Sequence, residues 1–160
     1  MCLIRPIQQT DDPQLATIIR ASLKAYGLDI PGTAYFDKEL DHLSEFYQQT
    51  STRQYFVATD HYDRVLGGVG IGEYDPAHGV AELQKLYLTP SARGHHLSYQ
   101  LLDMAVSFAK SAGYQRLYLE THHNLKTAIH LYEKYGFKNL GHPLNHGEHS
   151  SMDLFYSLAL

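Results

Sequence analysis

The feature that most constrains the fold is a change of hydrophobic period halfway along the chain. Residues 54–59, 65–74 and 79–88 alternate with period two and are joined by the polar turns His61-Tyr62-Asp63 and Asp75-Pro76-Ala77-His78-Gly79. Directly afterwards, residues 95–112 set Leu97, Leu101, Ala105, Phe108 and Ala112 on one helical face, and Gly113 supplies a stop. Three successive antiparallel strands that run straight into a long helix commit the chain to an α+β architecture, with at least one helix packed on a meander.

The flanking segments extend this pattern. Residues 2–8 read as a short strand. Asp12-Pro13 reads as an N-cap with proline at the first helical position, ahead of Leu15, Ile18, Ile19 and Leu23, with Gly27 as the stop. A second amphipathic helix is expected over 38–49 from Leu40, Leu43, Phe46 and Tyr47. Beyond the long helix come a strand at 114–121, a helix at 125–135 ending at Gly136, and a last strand at 150–158. No repeats, linkers or low-complexity tracts interrupt the 160 residues, so a single domain over 1–160 is expected. A chain of this length buries about two thirds of its unfolded surface without help from metals or disulfides.

Charge and composition remove several classes of function. The net charge is −4 and there is no basic run, which argues against a nucleic-acid partner. No apolar run reaches the roughly 20 residues of a membrane span. Met1-Cys2-Leu3-Ile4-Arg5-Pro6 lacks the pattern of a secretory leader, so a cytoplasmic location is expected. Cys2 is the one cysteine and excludes an intrachain disulfide.

The stretch from Glu82 to Ser98 carries a strand through a proline-containing turn into the long helix. Such a helix start presents unpaired backbone N–H groups and the positive end of the dipole, the arrangement that holds phosphate oxygens. Gly94 permits close approach of the backbone or a positive φ, and Arg93 adds a cation beside it. A turn glycine next to a surface arginine is the plainer alternative.

Arg93-Gly94-His95-His96-Leu97-Ser98 resembles the acyl-CoA pyrophosphate loop of the GNAT superfamily of N-acyltransferases, in which Gln or Arg is followed, after two residues, by Gly-x-Gly/Ala. Two positions depart from that pattern: His96 stands at the inner glycine, and Ser98 replaces the last small residue. Asn124, Ala128, Tyr132 and Tyr135-Gly136-Phe137 resemble the second signature of the superfamily, in which an asparagine opens a helix, a tyrosine lies on it and a Gly-Phe pair leads into the next strand. The resemblance covers residues 3 to 158 and implies a GNAT fold: a mixed, largely antiparallel sheet flanked by helices on both faces. It also implies an acetyl-CoA-dependent N-acetyltransferase with no metal, acting on a primary amine of a small molecule or peptide by direct transfer, with a homodimer as an option. The sheet would splay between the strands at 79–88 and 114–121 to admit the pantetheine arm, which Leu86 and Leu88 would hydrogen-bond through their backbones. Arg93, Gly94, His95, His96, Leu97, Ser98 and Asn124 complete the implied cofactor site.

Acetyl transfer needs a neutral amine, donors for the oxyanion and a proton for the leaving thiolate. Glu82 shares one face of an apolar strand with Gln84. A carboxylate there is expected to be desolvated and so suited to act as general base, with pairing to a cation at the sheet end as the alternative. Tyr132 falls on the buried helical face with Leu125, Ala128 and Ile129. The resemblance makes it the general acid, and a core aromatic is the alternative. Glu120, His149, Tyr35 and Asp37 are candidates for the acceptor site, the last two in the Gly27–Asp37 loop together with Asp29.

Two other features are discounted. Gly67-Gly68-Val69-Gly70-Ile71-Gly72 does not have nucleotide-loop spacing and lies inside a strand, where glycine marks bulges and close packing. His122, His123, His142, His146 and His149 match no zinc spacing. A non-catalytic acyl-CoA sensor and, less favoured, a histidine-metal hydrolase are the competing functions.

Overall fold

The computed structural model describes residues 2–145 and 150–160. Seven strands, β1 (Leu3–Pro6), β2 (Gln54–Thr59), β3 (Val65–Asp75), β4 (Val80–Leu88), β5 (Arg116–Thr121), β6 (Lys138–Asn139) and β7 (Leu154–Ala159), form one sheet in the order β1-β2-β3-β4-β5-β7-β6. Every neighbouring pair is antiparallel except β4 and β5, which the long helix α3 (Leu97–Ser111) connects as a crossover. The meander is β2-β3-β4, and β2 matches its expected bounds. The two-residue β6 is too short to leave a periodic signal.

Helices cover both faces of the sheet. On one, α1 (Asp12–Ala25) and α2 (Leu43–Gln48) pack Leu15, Ile19, Leu23, Leu43 and Tyr47 against Tyr55 and Val57 of β2 and Val65 of β3. On the other, α3 and α4 (Lys126–Tyr135) bury Leu97, Leu101, Leu102, Ala105 and Tyr132 against Phe56, Val69, Ile71, Leu83 and Leu117. The alternation of β2 and β3 therefore feeds two cores rather than one core and solvent, and both strands are buried along most of their length.

Several local expectations shift: the first strand is Leu3–Pro6 rather than 2–8, and the last begins at Leu154 rather than at residue 150. Asp12 is the first residue of α1 rather than its cap, and its buried carboxylate accepts from the N–H (2.9 Å) and Oγ (2.6 Å) of Ser44 at the start of α2. The helix expected over 38–49 divides into a 3-10 turn at Leu40–His42 and the six-residue α2, because His42 (φ −137°, ψ 45°) leaves the helical region. The Asp12–Ser44 bonds then restart the helix by supplying acceptors for its orphan donors.

The β3 glycines follow the close-packing reading. A Cβ at Gly68 would overlap the ring of Tyr55, one at Gly70 the hydroxyl of Tyr47, and one at Gly72 would lie 3.0 Å from Gln84 Oε1. Alternate positions on one face of β3 have thus been emptied to admit polar groups from β2, α2 and β4.

Candidate active site

β4 and β5 are paired only at Val80–Arg116, Ala81–Leu117 and Glu82–Tyr118, after which the strands separate. The gap opens into a cavity of about 420 Å³, walled by Glu82–Leu88 of β4, Leu119–Thr121 of β5, residues of α4 including Ala128, Leu131 and Tyr132, and the turn before α3. A parallel pair splayed at its C-terminal end leaves backbone donors and acceptors of β4 without strand partners, which suits an extended, amide-bearing ligand.

At one end of the cavity lies the turn before α3. Gly94 has φ +81°, and nothing lies within 4 Å of where its Cβ would be, so the backbone faces open space. His96 is also left-handed (φ 58°, ψ 13°) and caps α3 with no side-chain bond. Its carbonyl receives Gln100 N at 3.2 Å, and among the described residues the N–H groups of Leu97, Ser98 and Tyr99 have no backbone acceptor. The position where the family prefers glycine therefore does require a positive φ, and the histidine adopts it at a cost of about 1–2 kcal/mol. Arg93, Gly94, His96, Leu97 and Ser98 line the cavity together with Lys134 of α4. Arg93 donates to the Leu88 carbonyl at 3.3 Å, which ties the turn to the end of β4.

In the middle, β4 carries a bulge. Gly70 pairs with Gln84 and Gly68 with Tyr87, so three steps of β4 oppose two of β3. Lys85, inside the bulge, has φ +51°, and its carbonyl accepts from Tyr55 Oη at 2.8 Å. Leu86 and Leu88, on its far side, line the cavity. Opposite them Tyr132 is buried, with its ring edge-on to Phe137. Among the described residues its hydroxyl has no hydrogen-bond partner and no buried side-chain polar atom goes unpaired, so the hydroxyl opens onto the cavity. Burial pushes this phenol well above its ordinary range, so it holds its proton at neutral pH.

The other end of the cavity is built from side chains. Tyr47 Oη donates to Gln84 Oε1 at 2.7 Å, and Gln84 Nε2 donates to Glu82 Oε1 at 2.8 Å. Tyr118 Oη donates to Glu120 Oε2 at 2.8 Å. Glu82 and Glu120 both line the cavity, on the two strands that part there. Burial, followed by the negative charges of Glu82, Glu39 and Asp37, raises the Tyr47 phenol well above its usual range and keeps it a donor.

The remaining expected site residues lie elsewhere. His95 lines a separate hollow with Cys2, Leu66 and Gln100. Asn124 does not line the cavity; its Nδ2 donates to the Tyr26 carbonyl at 2.9 Å, tying the loop after β5 to the end of α1. Tyr35 packs on the α1–α2 core and against Phe36. Asp37 is buried in an ion pair with Lys85 (2.6 Å). His149 and His146 fall outside the described residues. Among the described residues, His122 and His123 bring ligand atoms within 4.8 Å of Asp153, and His142 is not part of that group. Tyr47, Lys85 and Tyr118 were not singled out from sequence as site residues. The alternating glycines of β3 were the available sign that neighbouring side chains fill that face.

Comparison with known proteins agrees with this geometry. Residues 21–137 match the family described as Acetyltransferase (GNAT) family. An uncharacterised N-acetyltransferase of Escherichia coli K12, YjgM, is 35% identical over 144 residues, covering 89% of this chain and 85% of that protein. Among solved structures, a GNAT-family acetyltransferase of Staphylococcus aureus Mu50 superposes with a TM-score of 0.88 at 18% identity, covering 99% of each chain. A spermidine N-acetyltransferase of Vibrio cholerae in complex with CoA and spermine superposes with a TM-score of 0.72 at 21% identity, covering 99% of this chain and 95% of that one. The structural neighbours share the fold, while the family match and the E. coli relative extend the likeness to sequence along most of the chain: it belongs to the GNAT family of acetyltransferases and is an N-acetyltransferase.

Proposed function

We propose that the protein transfers the acetyl group of acetyl-CoA directly to a primary amine of a small molecule or peptide. One observation carries this reading: a single cavity joins the free N-terminal amides of α3, the unpaired edge of β4, the open hydroxyl of Tyr132 and the carboxylate of Glu82. The cosubstrate's pyrophosphate belongs at the turn 93–98, where the amides of Leu97 and Ser98 and the dipole of α3 meet it, with Arg93 and Lys134 as neighbouring cations. Its pantetheine belongs along Leu86–Leu88, whose backbone would pair with the arm's amides as a strand would.

Glu82 accepts the proton of the incoming ammonium. The Tyr47–Gln84 relay fixes the rotamer of this carboxylate from behind, so the base is positioned before substrate arrives. Nitrogen attack on the thioester carbon gives a tetrahedral oxyanion facing backbone N–H groups at the bulge. Collapse breaks the C–S bond, Tyr132 delivers its proton to the departing thiolate, and the second proton of the attacking nitrogen leaves through water, from which Tyr132 is reprotonated. Cys2, the one cysteine of the chain, does not line this cavity, which accords with transfer without an acyl-enzyme. Release of free thiol from acetyl-CoA, screened against polyamines, amino acids, aryl-alkyl amines and peptides, tests the reading. At least one amine should give release above the amine-free rate, and no binding of CoA by calorimetry would overturn the assignment.

A further inference from the structure

The bulge of β4 holds two energetically unfavourable features at one residue. Lys85 takes a left-handed backbone conformation (φ +51°) that only glycine adopts without strain. Its ammonium lies within the protein, with a side chain 4% exposed, paired with Asp37 Oδ2 at 2.6 Å and Glu39 Oε1 at 3.4 Å. Buried ion pairs rarely exceed an apolar pair of equal volume in stability. Stability of the fold is therefore a poor explanation for a lysine here, and strain of this kind concentrates where geometry serves function.

What the pair connects is informative. Asp37 and Glu39 belong to the long loop between α1 and α2, whose Ala34 lines the cavity. The same loop is held from the other side by Ser151, which donates through Oγ to Pro31 O (2.7 Å) and through N to Gly32 O (3.1 Å). The Lys85 carbonyl is turned inward to Tyr55, and a trans peptide points the N–H of the next residue, Leu86, the opposite way. One residue therefore sets the direction of the bulge amide through its backbone and the position of the acceptor-side loop through its side chain.

We propose that Lys85, through its ion pair with Asp37 and Glu39, is a positioning residue that couples the α1–α2 loop to the β4 bulge, so that the acceptor wall and the thioester subsite are set as one rigid unit. The inference rests on the acetyltransferase reading for its catalytic meaning, but its structural core does not.

Asp37→Asn leaves Lys85 paired with Glu39 and so spares the fold from an unneutralised charge. Hydrogen exchange on this variant should show protection falling about tenfold or more at residues 33–42 and, together with them, at Tyr87, which pairs with Gly68 beside the bulge, while α3 is unchanged. Loss confined to the loop overturns the coupling. With the best amine from the thiol-release screen, KM for the amine should rise about tenfold while the CoA Kd stays within twofold. The Lys85→Met/Asp37→Asn double variant, which removes the buried pair and leaves the part-exposed Glu39 to solvent, should recover Tm but not KM. Recovery of both makes the pair merely structural and overturns the proposal. Absence of CoA binding by the parent chain would instead overturn the functional reading and leave the exchange result to decide the coupling.

Discussion

The two ends of the cavity are made of different materials. The end at the α3 turn is backbone: Gly94 and His96 at positive φ and a row of helix-start amides, with side chains largely in solvent. The end at Glu82 is side chain: the Tyr47–Gln84–Glu82 relay, the Tyr118–Glu120 bond and the Lys85–Asp37 pair, most of them shielded. A backbone site suits a group common to many enzymes, because it recognises phosphate geometry without consulting side-chain identity. A side-chain site is where one member of a family differs from another.

If that division holds, variants should separate by end. Tyr132→Phe, at the junction, removes one hydroxyl from a well-packed ring, and turnover should fall by about 10²–10⁴-fold with little change in KM for acetyl-CoA. Turnover within about threefold of the parent, with chemistry rate-limiting, would return Tyr132 to a packing role and leave the proton to water. Gly94→Val meets no neighbour but forces a β-branched residue to φ +81°. The strain, about 1–3 kcal/mol, should weaken CoA binding about tenfold or more by calorimetry, without altering the ratio of rates among amines.

Gln84→Leu breaks the relay and should show the converse. Amine turnover drops about tenfold as Glu82 loses its orienting donor, while the Kd for CoA stays within twofold. A parallel loss of CoA affinity would mean the two ends are not separable. The smallest effect belongs to His96→Gly. Relief of the left-handed strain, about 1–2 kcal/mol, is partly offset by the freer unfolded chain of glycine, about 0.4–1 kcal/mol. Tm should rise by a degree or two in a thermal melt, with CoA affinity equal or better, since the amides that face the anion are kept. A clear loss of affinity would show that the imidazole itself touches the ligand.

The same contrast explains what could be read in advance. Period and punctuation are local, so β2, the meander, α3 and the stops at Gly27, Gly113 and Gly136 were legible, and each of these glycines has a positive φ. The α3 turn was legible too, because Gly94 beside Arg93 at a strand-to-helix junction is a contiguous pattern. The relay was not, since Tyr47 reaches Gln84 across 37 positions of sequence, and the glycines that make room for it belong to a third segment. Asp37 was read as an acceptor-site carboxylate because no local pattern announces a partner 48 residues on, in a strand.

What the sequence determined by itself was the order of elements, the meander and a strand-to-helix turn whose open groups are consecutive along the backbone. Tertiary structure alone decided where β4 and β5 part, which conformation His96 adopts, and that Lys85 spends its charge on the loop rather than on solvent. Hydrogen-bond and hydrophobic periodicity are properties of neighbours in the chain. The direction of a bulged peptide and the pairing of a buried charge depend on groups that only folding brings within about 3 Å.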